Sequence, residues 1–128
     1  NILDFGCGSA NLINRLEKEN IGAIRYGVDI YKNENKLTHA QQNCKKSKIF
    51  NIKPYQKLIF DIKFDVIIAN QVIEHIQNPN EIYVQLRSLL KENGYLVLGL
   101  PTKEIIIEPH LRIPFIHWID KDSRILKF

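Results

Sequence analysis

Four polar residues follow apolar segments of this chain, and together they could bind a nucleotide. Asp4 and Asp29 end two strand-like segments, and Asn51 and Asn70 end two more. The carboxyl ends of parallel strands share one edge of a sheet, so these side chains are expected to lie near one another. A carboxylate accepts two hydrogen bonds, which suits the paired hydroxyls of a ribose. Asp29 follows a pair of glycines by roughly twenty residues, the separation that ribose binding needs, although a plain turn residue is the alternative.

The glycine pair lies in a strand–turn–helix segment. Residues 2–5 predict a buried strand, Gly6 and Gly8 a tight turn, and an apolar face that begins at Leu12 predicts a helix. Such a turn lets a ligand touch bare backbone, and the helix start supplies free N–H groups. A dinucleotide-binding turn would need a third glycine where Asn11 stands, so the spacing speaks against a nicotinamide cofactor.

Three histidines are candidates for proton transfer. His75 follows the fourth predicted strand, and His110 and His117 follow the fifth. An imidazole titrates near neutral pH and could take the proton of a hydroxyl acceptor. For His75, a hydrogen bond that shapes its loop is the alternative. Glu108, His110 and His117 could also hold a metal ion, but loop histidines at such spacing are common, and no metal site is predicted.

Strand-like and helix-like segments alternate, which predicts a parallel sheet covered on both faces. The further predicted strands are residues 23–30, 48–51, 64–69 and 95–100. The predicted helices are residues 10–19, a helix capped by Asn33 with Leu37, Ala40 and Cys44 on one face, and residues 80–92 with Asn93–Gly94 as the C-cap. Residues 53–60 are ambiguous, and one helical turn after Pro54 is one interpretation.

Composition narrows the class of protein. The chain has 128 residues, of which 45% are hydrophobic, and this predicts a single domain over residues 1–128. No run approaches the ~20 apolar residues of a membrane span. The net charge of +4 includes a cluster at Lys45, Lys46 and Lys48 without interleaved aromatic residues, which favours a solvated loop over a nucleic-acid surface. Two cysteines far apart favour a reducing cytoplasm, with Cys7 as a small residue that fits the turn rather than a nucleophile.

Three motifs in this order resemble the class I S-adenosylmethionine-dependent methyltransferases. The D-x-G-x-G run from Asp4 to Gly8 is similar to motif I, with Ala10 in place of that family's third glycine. Residues 64–79 are similar to motif IV of the group that includes the quinone-biosynthesis enzymes, and residues 90–98 resemble the segment that leads into strand five. The resemblance covers residues 2–101.

The resemblance implies a fold and a boundary within the chain. The expected fold is α/β and Rossmann-like, with a doubly wound, mostly parallel sheet and helices on both faces. The family's sixth strand and antiparallel seventh are expected to be absent or incomplete here. Residues 2–101 would form the core of the domain, and residues 102–128 a substrate or lid region.

The resemblance also implies a role for each motif residue. Asp4 would orient the methionine end of the cofactor, and the backbone of Gly6, Cys7 and Gly8 would pass close to it. Asp29 would hold the ribose. Around the adenine, Ile30 would pack on its face, Asn51 would accept from its amino group and the backbone N–H of Ile52 would lie nearby. Asn70 and Gln71 would meet the amino group of the cofactor.

The function implied is methyl transfer from S-adenosylmethionine to a small-molecule, sugar or lipid-linked acceptor, with O-methylation expected. His75 and His110 would be the catalytic residues if the acceptor needs a base, since the displacement itself mainly requires alignment. A methyltransferase-like module that binds without catalysis is the alternative, and a nicotinamide-binding domain ranks below it.

Overall fold

The computed structural model describes residues 1–100, which form a parallel sheet with helices. The elements are β1 (Ile2–Phe5), α1 (Asn11–Lys18), β2 (Arg25–Asp29), α2 (Glu34–Asn43), β3 (Lys48–Asn51), β4 (Phe64–Asn70), a 3-10 helix (Ile73–His75), α3 (Pro79–Leu89) and β5 (Leu90–Gly99). The predicted residues His110 and His117, and the proposed lid region 102–128, lie outside the described residues. No helix within residues 1–100 is long and apolar enough to cross a membrane.

The sheet has the strand order β3-β2-β1-β4-β5, and every described pair is parallel. The chain winds from β1 to β3 in one direction, then crosses back to β4 and continues in the other. The order therefore reverses between β1 and β4, and a crevice opens at their carboxyl ends, where ligands bind in open α/β sheets. The predicted Rossmann-like fold class is confirmed.

Two apolar clusters hold the helices to the sheet. One contains Leu86 and Leu89 of α3 and is built around strand residues such as Phe64. The other contains Ile13 of α1 and Ala40 of α2. Because crossovers between parallel strands are right-handed, the reversal of strand order places α3 on the face opposite α1 and α2. The strand ends are thus fixed by packing on both sides.

The two helices next to the site begin in different ways. The Asn33 side chain caps α2 by accepting the Asn35 N–H at 2.8 Å, as predicted. The residue before α1 is Ala10, whose φ of 60° lies in the left-handed region that favours glycine. This conformation explains why the related motif has a glycine there, and alanine is the smallest side chain that can replace it.

One expectation about local structure is wrong. The third helix ends at Leu89, and Asn93–Gly94 lies within β5 rather than capping the helix. A Cβ on Gly94 would come within 2.9 Å of the Phe64 carbonyl oxygen, so this glycine allows two strands to approach closely.

The segment left ambiguous, residues 53–60, contains a turn after Pro54 and no helix. The Gln56 N–H donates to the Lys53 carbonyl at 3.1 Å, and Tyr55 has a φ of 60°, which is outside the right-handed helical region. The Leu58 N–H donates to Gln85 Oε1 at 3.0 Å.

Candidate cofactor site

The glycine turn after β1 is fixed by strand β2. The N–H groups of Gly6 and Cys7 both donate to the Val28 carbonyl, at 2.8 and 3.1 Å. Gly6 has a φ of +82°, and a Cβ there would lie 2.6 Å from Val72 Cγ2. Both the backbone conformation and the space therefore require glycine at this position.

Asp29, the last residue of β2, holds the turn with its carboxylate. Oδ2 accepts the Gly8 N–H at 2.6 Å, and Oδ1 accepts the Ile30 N–H at 2.6 Å. A carboxylate has further lone pairs beyond these two, so it can still accept from hydroxyl groups of a ligand. A Cβ on Gly8 would meet nothing within 4 Å, which leaves that stretch of backbone open.

Asp4, in the centre of the sheet, is a buried carboxyl group. It is 4% exposed, and within residues 1–100 its carboxylate receives no hydrogen bond. Burial, followed by the charge of Asp29, raises its pKa from 3.8 to about 6. Two neighbouring carboxylates, one of them without a hydrogen bond in the described part of the chain, make this edge of the sheet attractive to a cation or to hydrogen-bond donors.

A cavity of about 330 Å³ opens beside these residues and is called the central cavity here. It is lined by the end of β1, the turn after β2 and the segment after β4: Phe5, Gly6, Val28, Asp29, Ile30, Ile52, Gln71, Val72, His75 and Ile76. Six predicted site residues are therefore brought together. A groove of about 750 Å³ adjoins Gly8 on the other side of Asp29.

Two groups predicted to meet the adenine already bond with the backbone of the chain, and their roles stay predictions. The Ile52 N–H donates to the Asp29 carbonyl at 2.9 Å, and Ile52 lines the central cavity. Asn51 is not among the residues that line this cavity. Its Oδ1 accepts the Tyr31 N–H at 2.9 Å and its Nδ2 donates to the Tyr31 carbonyl at 3.2 Å. The amide is thus occupied with backbone groups.

Cys7 is a packing residue of the turn and does not line the central cavity. It is buried against Gly27, where an added Cβ would lie 2.8 Å from Cys7 Sγ. Burial raises the pKa of its thiol to about 12, because a thiolate is poorly solvated there. Cys7 therefore stays predicted as a small residue that fits the turn.

The predicted residues after β4 lie on the opposite side of the crevice. Gln71 has a φ of 52°, and its N–H donates to the Gly99 carbonyl at 2.7 Å. Gln71 and the exposed His75 both line the central cavity. Asn70 does not, because its side chain lies over Gly99, where a Cβ would collide with it.

Sequence reasoning missed the apolar walls and one polar residue. Phe5, Val72 and Ile76 line the central cavity and lie in the motif segments, so their apolar character between the polar residues was a usable signal. No pattern in the sequence around Tyr31 indicated that it would contact the turn. It contacts the turn through its side chain, since its hydroxyl donates to the Gly8 carbonyl.

The arrangement fits a cationic ligand that carries a ribose. Open backbone at Gly8, the carboxylate of Asp29 and the buried carboxyl group of Asp4 lie at the carboxyl edge of a doubly wound sheet. These features define a nucleotide-type site of the kind found in methyltransferases. A comparison with protein families gives the same assignment. The model of the methyltransferase domain family matches residues 1–123, and the chain belongs to this family.

Individual relatives support the same assignment. The ubiquinone biosynthesis O-methyltransferase of Glaesserella parasuis serovar 5 is 33% identical over an alignment of 108 positions, and the match covers 77% of this chain and 44% of the relative. A malonyl-(acyl-carrier protein) O-methyltransferase of Halalkalibacterium halodurans is 32% identical over an alignment of 120 positions, and the match covers 85% of this chain and 42% of that protein. The chain thus spans less than half the length of these relatives.

Solved structures share the fold. The plantazolicin methyltransferase BpumL in complex with SAH superposes with a TM-score of 0.68 at 22% identity, over 76% of this chain and 37% of that one. This similarity shows the fold, and the family match indicates S-adenosylmethionine as the cofactor.

Proposed function

We propose that the protein transfers the methyl group of S-adenosylmethionine to an oxygen atom of a small-molecule acceptor. Support for oxygen as the methylated atom comes from the relatives, which are named O-methyltransferases of ubiquinone biosynthesis and of malonyl-acyl carrier protein. Sugar and lipid-linked acceptors are alternatives of the same chemistry. The two cysteines Cys7 and Cys44 are both free and buried, which supports a reducing cytoplasm as the location.

The observation that carries the cofactor part of this proposal is a pair of neighbouring carboxylates at the carboxyl edge of the sheet, of which Asp29 lines the central cavity and Asp4 does not. Asp4 is buried, receives no hydrogen bond on its carboxylate within residues 1–100, and lies close enough to Asp29 for the second charge to raise its pKa. An anionic edge of this kind favours a ligand that brings positive charge and hydroxyl donors. Nicotinamide dinucleotides carry a diphosphate, which two carboxylates would repel.

The residues of the chain have separate tasks in this scheme. The cofactor supplies an electrophilic methyl group on a sulfonium, whose neutral leaving group makes a strong base unnecessary for many acceptors. Asp29 would hold the ribose and Asp4 the amino-acid end, while Ile30 and Ile52 supply apolar walls. Since in-line displacement depends on alignment, the main contribution of these residues is to hold the reactants in one geometry.

His75 is the described candidate for a base. It lines the central cavity on the side of β4, next to Gln71. If the acceptor is a hydroxyl, its imidazole could take the proton as the bond to carbon forms. We propose the same role as an alternative for His110. His75→Gln should then lower kcat with a changed pH profile and leave the dissociation constant of S-adenosylhomocysteine within twofold of the wild type.

Thermal melting with S-adenosylhomocysteine tests the cofactor site. At a hundredfold excess over the dissociation constant, a ligand that binds only the folded state stabilises it by about 2.7 kcal/mol. Asp29→Ala should abolish this stabilisation. Asp61→Ala, at an exposed aspartate outside the central cavity, is the matched control and should retain it. NAD should give no shift.

The acceptor proposal has its own test. Incubation with labelled S-adenosylmethionine and a panel of catechols, free carboxylic acids and acyl-carrier-protein thioesters should transfer label to an oxygen of one class. If the ligand stabilises the protein but no acceptor is methylated under any condition, the non-catalytic module replaces the enzyme as the interpretation. If the ligand gives no stabilisation of a folded sample, the cofactor site itself is refuted.

A further inference from the structure

Both polar backbone groups of Gly8 are held by residues at the end of β2 and just after it, Asp29 and Tyr31. Its N–H donates to Asp29 Oδ2 at 2.6 Å, and its carbonyl accepts the hydroxyl of Tyr31. Gly8 has a φ of +52° and open space around it, so no packing of its own fixes the turn. The flanking residues have bonds of their own, from the Ala10 N–H to the Cys7 carbonyl at 2.8 Å and from Asn43 Nδ2 to the Ser9 carbonyl at 2.9 Å, while Asp29 and Tyr31 hold Gly8 itself.

Tyr31 is in turn oriented by the last residue of β3. Asn51 accepts the Tyr31 N–H at 2.9 Å and donates to the Tyr31 carbonyl at 3.2 Å. Two reciprocal bonds of an amide with one residue's backbone fix that residue's position relative to the strand. A continuous path of hydrogen bonds thus runs from β3 through Asn51 and Tyr31 to Gly8.

The hydroxyl of Tyr31 remains a donor under ordinary conditions. It also lies 3.4 Å from Cys7 Sγ. Burial, followed by the hydrogen bond with Cys7, raises the pKa of the Tyr31 hydroxyl, and burial raises that of the Cys7 thiol to about 12. Neither group ionises near neutral pH, so the Tyr31 hydroxyl keeps its proton. Its hydrogen bond to the Gly8 carbonyl therefore does not change with pH in that range.

We propose that Tyr31 is a positioning residue of the cofactor site: its hydroxyl, oriented by Asn51, holds the Gly8 carbonyl and thereby sets the turn and the Asp29 carboxylate before the ligand binds. This inference rests on the proposed cofactor site. The link to Asp29 is direct, because the same glycine that Tyr31 holds through its carbonyl donates its N–H to Asp29. A site ordered in advance loses less entropy on binding.

The first test compares the affinity of the full chain for S-adenosylhomocysteine in three proteins by calorimetry. Tyr31→Phe keeps the ring and removes only the hydroxyl, and should raise the dissociation constant about five- to tenfold, the effect of one hydrogen bond. Tyr95→Phe is the matched control, because Tyr95 is 72% exposed on β5 and lies outside the central cavity. It should bind like the wild type.

Two further measurements separate positioning from general stability. In the ligand-free protein, the Gly8 N–H should exchange with solvent faster in Tyr31→Phe, and the ligand should restore its protection. Asn51→Ala should also weaken binding, and the double variant should be no weaker than the poorer single variant, because both changes interrupt one path. In turnover, Tyr31→Phe should raise the KM for S-adenosylmethionine and leave kcat within twofold.

The outcomes distinguish this inference from the proposed function. If the wild type does not bind the ligand, the cofactor site fails and the positioning role with it. If the wild type binds and Tyr31→Phe binds within twofold of it, the site stands and the positioning role is refuted. If the increases in the dissociation constant caused by Tyr31→Phe and Asn51→Ala multiply in the double variant, the single path is also refuted. Should Tyr31→Phe not fold, Asn51→Ala tests the same path through affinity and Gly8 exchange.

Discussion

Replacement of Asp4 by Asn should stabilise the ligand-free protein and weaken its hold on the cofactor. The carboxyl group is 4% exposed and receives no hydrogen bond within the described residues. Raising its pKa from 3.8 to about 6 corresponds to about 3 kcal/mol, at ~1.36 kcal/mol for each pKa unit. Asp4→Asn removes the charge and preserves the shape, so most of this penalty should be relieved.

The free energy of unfolding changes with pH because the folded and the unfolded state lose the Asp4 proton at different pH values. Below pH 3.8 both the folded and the unfolded state keep the proton on Asp4, and no penalty exists. Between pH 3.8 and about 6 the folded state keeps a proton that the unfolded state has lost, so the free energy of unfolding falls as the pH rises. Above about pH 6 the full penalty applies.

Urea unfolding of the wild type and Asp4→Asn between pH 4 and 8 measures this difference. The variant should be more stable by about 2–3 kcal/mol at pH 7.5, and the gap should close as the pH approaches 4. The stabilisation by S-adenosylhomocysteine should shrink in the variant. If the difference in free energy of unfolding stays constant with pH, or if the variant is less stable than the wild type at pH 7.5, burial of the Asp4 carboxylate does not destabilise the fold.

Two further predictions concern the glycine turn. Gly6→Ala should destabilise the fold by about 2 kcal/mol or more because its Cβ would lie 2.6 Å from Val72 Cγ2, whereas Gly8→Ala, with φ +52° but open space, should lose only about 1 kcal/mol. Urea unfolding compares them, and equal losses would contradict the steric argument. The thiol of Cys7 should react with Ellman's reagent at pH 8 only on unfolding, since it is buried with a pKa of about 12. A native-state reaction at the rate of a free thiol would contradict this.

The sequence indicated the strands and their polar ends well, because apolar runs and the residues that stop them are local signals. Asp29 lies at the crevice, where the end of its apolar run predicted it, and Gln71 lies there as the family resemblance implied. The roles of residues that contact a distant segment of the chain were harder to predict. Asn51 ends β3 as expected, but it bonds with Tyr31, twenty residues away in the chain, and no pattern within either segment shows this.

The end of α3 shows a different limit. An Asn–Gly pair after an amphipathic run normally indicates a helix C-cap, and this rule predicted Asn93–Gly94 as the cap. In the structure the strand already begins at Leu90, which pairs with Phe64 before a shift in register. The pairing of two strands outweighs a local preference, and only the close approach at Gly94 explains why glycine is there.

The strand order has a consequence for how the site is assembled during folding. β1 lies in the middle of the sheet, yet its neighbours come from later in the chain: Ile2 pairs with Arg25 on one side and with Val66 on the other. Within residues 1–100, the hydrogen bonds around Gly8 join residues 7–51, whereas the cavity wall from Gln71 to Ile76 arrives only with the segment after β4. Because contacts between distant parts of a chain are slow to form, we expect β1–β4 pairing to limit the folding rate.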